Sequence, residues 1–141
     1  TQLTVKKDFT YHNFEYRLPT KAEWEKLAET SSNILKNNGK NAKGMYQLNC
    51  AHPYDSTTTN GTTPPYPDVT APVYSYWKNS FGLYNMLGNV AEMISEKGTC
   101  KGGAWRNNIE ECLVGKDYTY VKPNAMLGFR CVCVIKNKGN S

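Results

Sequence analysis

Phe81-Gly82-Leu83-Tyr84-Asn85-Met86-Leu87-Gly88-Asn89-Val90-Ala91-Glu92 is the stretch from which the rest of the chain is read. Gly88-Asn89 marks a turn. After it, Val90, Glu92 and Ile94 alternate with Ala91 and Met93, the period of a strand. Downstream, Lys101-Gly102-Gly103-Ala104-Trp105 reads as a second strand, with glycines where a neighbour comes close. Gly128 to Ile135 is apolar and β-branched almost throughout, so it is predicted as one central strand.

Upstream, Tyr16-Arg17-Leu18-Pro19-Thr20-Lys21-Ala22-Glu23-Trp24 carries a helix start. Thr20 and Glu23 have capping-box spacing, and Pro19 precedes them. Trp24, Leu27 and Ala28 share one helical face. The predicted helix runs from about Lys21 to Glu29, ended by Ser31-Ser32-Asn33 and later Gly39. Ala42 to Asn49 is expected as a short strand. Val5, Phe9, Tyr11 and Phe14 suggest an extended lead-in. Cys50 to Thr70 is rich in Thr, Pro, Asn and Gly and reads as a long loop, with Thr57 to Thr63 as its tip. The whole is predicted as one domain, residues 1–141, of class α+β.

Composition excludes several classes. Hydrophobic residues are 39% and charged residues 21%, which fits a globular chain. No apolar run is long enough to span a bilayer. The net charge is +5, but the lysines are scattered, and neither the group at Lys36, Lys40 and Lys43 nor that at Lys136 and Lys138 has interleaved aromatics. Nucleic acid is therefore not expected as a partner. Five cysteines leave at least one unpaired within the chain. Cys131 and Cys133 are two apart on an apparent strand and so face the same side. All thiols, or one or two disulfides with a remaining thiol, both fit. Tyr54, Tyr66, Tyr74, Tyr76 and Trp77 would make a protein-binding face if exposed. Asp55-Ser56-Thr57 resembles an O-glycosylation acceptor and Asn60-Gly61-Thr62 is an N-glycosylation sequon. Chance is the default reading of both.

Four segments, in order, resemble the formylglycine-generating-enzyme (FGE-sulfatase) family: Tyr16 to Ala28, Thr70 to Val73 with Phe81 to Glu92, Lys101 to Trp105, and Gly128 to Val132. The resemblance implies an irregular, loop-rich C-type-lectin-like fold. The family domain is longer, and its N-terminal portion has no counterpart before the predicted helix. Active members oxidise a substrate cysteine with copper held by two thiolates. Those thiols stand third and eighth after a Gly-Gly-Ser, which here places Asn107 and Cys112. Asn is a poor ligand for soft copper(I). No copper, and no catalytic residue, is therefore expected from this degenerate pair. Cys100 is the nearest second thiol in sequence, but its rescue of the site is unfavourable. Two histidines, His12 and His52, are too few for the three-histidine iron site of related sulfoxide synthases.

The resemblance also implies a structural calcium ion, held by Asn85, Gly88, Val90 and Glu92 through side-chain and carbonyl oxygens. A second calcium site would involve Asn49 and Asp68. Cys131 matches a cysteine whose disulfide partner in some members is replaced here by Ala28, so it is expected as a core thiol. Motif wording, with Ala91 where the enzymes carry Trp, is similar to members from Bacteroidetes. These include cell-envelope lipoproteins of gliding motility and type IX secretion. The function expected is a non-catalytic, extracytoplasmic module with protein partners. The alternatives are a residual copper oxidase and a lectin-like ligand-binding domain.

Overall fold

A computed structural model describes residues 13–51 and 70–136. His12, His52, Tyr54, Tyr66, Asp68, the Thr57–Thr63 tip and both glycosylation motifs lie outside the described residues. The predicted helix is present as α1, Lys21–Ala28. Thr20 Oγ1 accepts from the Glu23 amide at 3.2 Å, and the Glu23 carboxylate accepts from the Thr20 amide at 2.8 Å. Arg17 then grips Glu23 with two bonds of 2.7 Å. With Arg17 as the main cause and the Thr20 amide second, the Glu23 carboxyl is held down to about 2. The chain does not leave the helical region at Ser31, as expected. It tightens into 3-10 turns over Glu29–Gly39, and the break comes at Lys36, which is extended, and at Asn37 and Asn38, with φ of 55° and 53°. Asparagine tolerates that left-handed backbone better than most residues.

The strands are shorter than predicted. β1 (Asn13–Arg17) pairs antiparallel with β6 (Val132–Lys136), with Tyr16 opposite Cys133. A four-stranded sheet has the order β4-β3-β2-β5. Its members are β2 (Ala91–Met93), β3 (Thr99–Lys101), β4 (Asp117–Thr119) and β5 (Leu127–Phe129). Strands β2 and β5 are parallel, and the other two pairings are antiparallel.

Four sequence expectations are corrected here. The single central strand from Gly128 to Ile135 is two strands in two different sheets, with Arg130 and Cys131 between them. Its second half lies in a two-stranded ribbon, where Cys133 and Ile135 are exposed, and Cys131 just before it is exposed too, so Cys131 is not a core thiol. The strand placed at 101–105 ends at Lys101, because Gly102 and Gly103 turn the chain with φ of 89° and 70°. Between Ala42 and Asn49 there is no strand, only a bridge from Lys40 to Tyr46.

What remains is loop held by burial. Trp24, Ala28, Leu48, Cys50, Met86, Leu87, Ile94 and Cys112 form the main core. Ala91, Cys100 and Ala104 form a smaller one behind the sheet. Among the described residues, one short α-helix, small sheets and long connections give the loop-rich α+β fold that was expected.

Candidate functional site

The turn at 85–89 is built by three left-handed residues, Asn85 (φ 51°), Gly88 (φ 73°) and Asn89 (φ 68°). Gly88 is required twice over. Its backbone is left-handed, and a side chain there would run into the carbonyl of Asn49. Asn89 knits three segments together. Its amide donates to Asn49 O at 2.7 Å, and its Oδ1 accepts from Ala71 N at 2.7 Å and from Asn49 Nδ2 at 3.1 Å. Asn49 is thus placed against this turn, with its amide group facing Asn89.

The turn delivers Glu92 onto β2 with only 5% of its surface exposed. A buried carboxylate needs partners. Arg130 supplies two bonds, Nη2 to Oε1 at 2.5 Å and Nε to Oε2 at 2.6 Å. The Trp24 indole adds a third, Nε1 to Oε2 at 2.7 Å. Arg130 also donates to Tyr84 O at 3.1 Å. The inward Glu, unexplained by the strand pattern alone, is therefore the hub joining α1, β2 and the link from β5 to β6. Sequence reasoning missed Arg130 and Trp24 as its partners. The signal available was Arg130 itself, a charged residue within the otherwise apolar run Gly128 to Ile135.

A cavity of about 320 Å³ opens over this hub, lined by Val73, Tyr74, Tyr84, Asn85, Phe129 and Arg130 among others. Its rim is apolar and open. Tyr74 is 81% exposed and Phe129 63%, and Tyr74 stands edge-on to Tyr84 at 5.5 Å. Trp77 and Val73 are exposed as well, while Tyr76 is half-buried. Among the described members of the cluster picked from the sequence, Tyr74 lines the cavity, and Tyr76 and Trp77 do not.

Of the four residues implied for calcium, Asn85, Val90 and Glu92 line this cavity, whereas Gly88 is outside its lining and packs on Asn49. Two observations bear on the fit. Asn85 Nδ2 donates to Val73 O at 2.8 Å, but its buried Oδ1 has no hydrogen-bond partner. That oxygen suits a cation. Glu92, the one charged ligand, is already neutralised by Arg130. The donor set therefore fits calcium through Asn85 and offers only a shared carboxylate at Glu92.

The degenerate copper pair lies elsewhere, behind Gly103. Asn107 is committed to the backbone: its Oδ1 accepts from Ala104 N at 2.8 Å and its carbonyl from Ala51 N at 2.9 Å. Cys112 is 0% exposed, and a Cβ at Gly103 would come within 2.7 Å of its sulfur. Its hydrogen-bonding neighbour is Cys50, also 0% exposed, and not Cys100. The Cys50 contact first, then burial, pushes the Cys112 thiol far above its ordinary value. Cys100 belongs to the smaller core, where burial raises it too. Sequence spacing could not have singled out Cys50, because the pairing is made only by the fold.

The comparisons agree with this architecture. The chain matches the model of the sulfatase-modifying factor enzyme 1-like domain (FGE-sulfatase) over residues 4–135, and it belongs to that family. Among solved structures it is similar to Treponema denticola variable protein 1, at 22% identity and a TM-score of 0.56. It is also similar to CarF, at 24% identity and a TM-score of 0.51. Each likeness covers 86% of this chain and 48% of the other, so the chain spans about half of either structure's length. At these identities the likeness is one of fold. No curated protein matches.

Proposed function

We propose that this chain is a non-catalytic binding module of the FGE-sulfatase family. One observation carries the reading: Cys112 is sealed in the core against Cys50, and Asn107 is spent on the backbone of Ala104. A copper oxidase must bring a substrate thiolate to its metal. Copper held by Cys50 and Cys112 would have no open side for that thiolate. The residues at the family's copper position do not fit the ion. A cysteine-containing peptide supplied with copper, oxygen and reducing thiol is therefore expected to yield no formylglycine by mass spectrometry. Peptide oxidation that requires copper(I) and disappears in Cys112→Ala would overturn the reading.

The binding face is the cavity rim of Val73, Tyr74 and Phe129, whose exposed aromatics suit a protein partner. The setting proposed is extracytoplasmic, in a cell-envelope assembly of the gliding-motility or type IX secretion kind. Its support is the motif wording around Ala91. Among the described residues, no helix is long and apolar enough to cross a membrane.

A second reading, a lectin-like domain for a small ligand, is favoured by the cavity itself. Apolar walls over a few fixed polar groups are the usual make-up of a ligand site. Titration with a panel of sugars and amino acids separates the two. Shifts of the Asn85 side-chain amide by magnetic resonance would favour the small ligand.

Calcium is proposed as a structural ligand of Asn85 and Glu92, contributing charge to the turn and no chemistry. Saturating calcium is expected to raise the unfolding midpoint by a few degrees. Asn85→Asp keeps a residue that tolerates left-handed backbone and adds a charge, so it should enlarge the response. If chelator and calcium give superposable melting curves for both proteins, the ion does not bind there.

A further inference from the structure

We propose that Cys50 and Cys112 close a core disulfide when the chain folds in the presence of a small disulfide oxidant, and that this bond clamps the turn beneath the candidate site. The five cysteines fall into three environments. Cys133 is exposed on the β1–β6 ribbon, and Cys131 just before it is exposed too. Cys100 sits among Ala91, Ala104, Tyr118 and Met126 in the smaller core. Cys50 and Cys112 share the main core, both wholly buried, with the two thiols in hydrogen-bonding contact.

The backbone holds the two cysteines in register. Ala51 bridges to Asn108, and Ala51 N donates to Asn107 O at 2.9 Å. Cys112 ends the 3-10 turn Ile109–Glu111, its amide donating to Ile109 O. Across from it, Gly103 leaves room for the sulfur. On the other side of Cys50 is Asn49, whose carbonyl receives the Asn89 amide and packs on Gly88. A bond at this point fixes Asn49, and Asn49 fixes the turn from which Asn85 and Glu92 project.

The chemistry is thiol–disulfide exchange. One thiolate attacks the small disulfide and releases a thiol. The second cysteine then attacks the mixed disulfide and releases another. Both protein thiols lose their hydrogens, and one small disulfide becomes two small thiols. Complete burial sets the order of events: exchange takes place while the core is open, and the finished bond is out of reach of a reductant in solution.

The wild-type chain is refolded with oxidised and reduced glutathione, or with reductant alone. The expected oxidised product is lighter by two hydrogens, and non-reducing digestion joins the Cys50 and Cys112 peptides. It withstands reductant until denaturant is added, and its unfolding midpoint is higher by about 10 °C, as closure of a long loop predicts. Cys131→Ser with Cys133→Ser removes the exposed thiols, and the same link is expected in that variant. Two results overturn the proposal. Cys50 and Cys112 could both remain open to alkylation after oxidative refolding and denaturation. Alternatively, the link recovered could join another pair in both proteins.

Discussion

Glu92→Ala is expected to destabilise the fold by about 3–5 kcal/mol, whether or not calcium is present. The carboxylate is buried and receives three hydrogen bonds, two from Arg130 and one from Trp24. Its loss leaves two donor side chains behind. The Trp24 indole is 0% exposed, and an unmet donor there costs about 1–3 kcal/mol. Arg130 keeps 23% of its side chain in solvent, which relieves part of the remaining charge and argues for the lower half of the range. Glu92→Gln retains the shape and an acceptor, and should lose about 1–3 kcal/mol. Urea unfolding in excess chelator measures both. A double-mutant cycle with Arg130→Met isolates the pair. A loss below about 1 kcal/mol for Glu92→Ala in chelator would mean that the ion pair is not what holds this carboxylate. A calcium contribution is additive to this test, since it shows only as a difference between calcium and chelator.

How much of this was legible beforehand depends on whether the information is local. The Thr20–Glu23 capping box is local, and the helix it starts was read within one residue of its end. The Gly88-Asn89 turn is local too, and both residues have the positive φ the pair suggests. Strand length is not local. Gly128 to Ile135 looks like one buried strand because apolar content cannot show that Arg130 is pulled out of line toward Glu92 and Tyr84. The lectin-like class was reached through the order of four motifs, each weak alone. Away from the cavity, the pair Asn107 and Cys112 is degenerate by ligand chemistry alone. What stayed hidden was the companion of each: Ala104 for Asn107, Cys50 for Cys112, Arg130 for Glu92. Asn107 and Ala104 make a local contact three residues apart, whereas the other two are tertiary pairings that only the fold brings together.

Lys101 is the strongest case of such a hidden pairing, and it yields the second large effect. Its side chain is 0% exposed, unlike the solvated lysines that the composition suggests. The ammonium reaches Glu25 on α1 at 2.8 Å, Asp117 on β4 at 2.6 Å and Lys116 O at 3.4 Å. It also lies 5.7 Å from the ring centre of Trp24. Lysine rather than another residue fits because a long apolar stem crosses the core beside Trp24 and ends on two anions. The anions are unequal to it in burial, since Glu25 is 33% and Asp117 38% exposed. That asymmetry decides which side of the pair is costly to lose. With Lys101→Met the stem volume stays and both carboxylates turn to water, so the change should be within about 1–2 kcal/mol of neutral. With Glu25→Gln and Asp117→Asn together the ammonium stays in the core without an anion, and the loss should reach about 3–5 kcal/mol. Acid adds a check of sign. Lys101 first, then Lys21, holds the Asp117 carboxyl below its ordinary value. Its contribution is full above that ordinary value and falls away as the pH drops below it. The double variant should therefore lose less stability on acidification than the wild type does. Urea unfolding at neutral pH ranks the variants. If Lys101→Met proves more damaging than the double carboxylate change, the lysine contributes through packing and not through its charge.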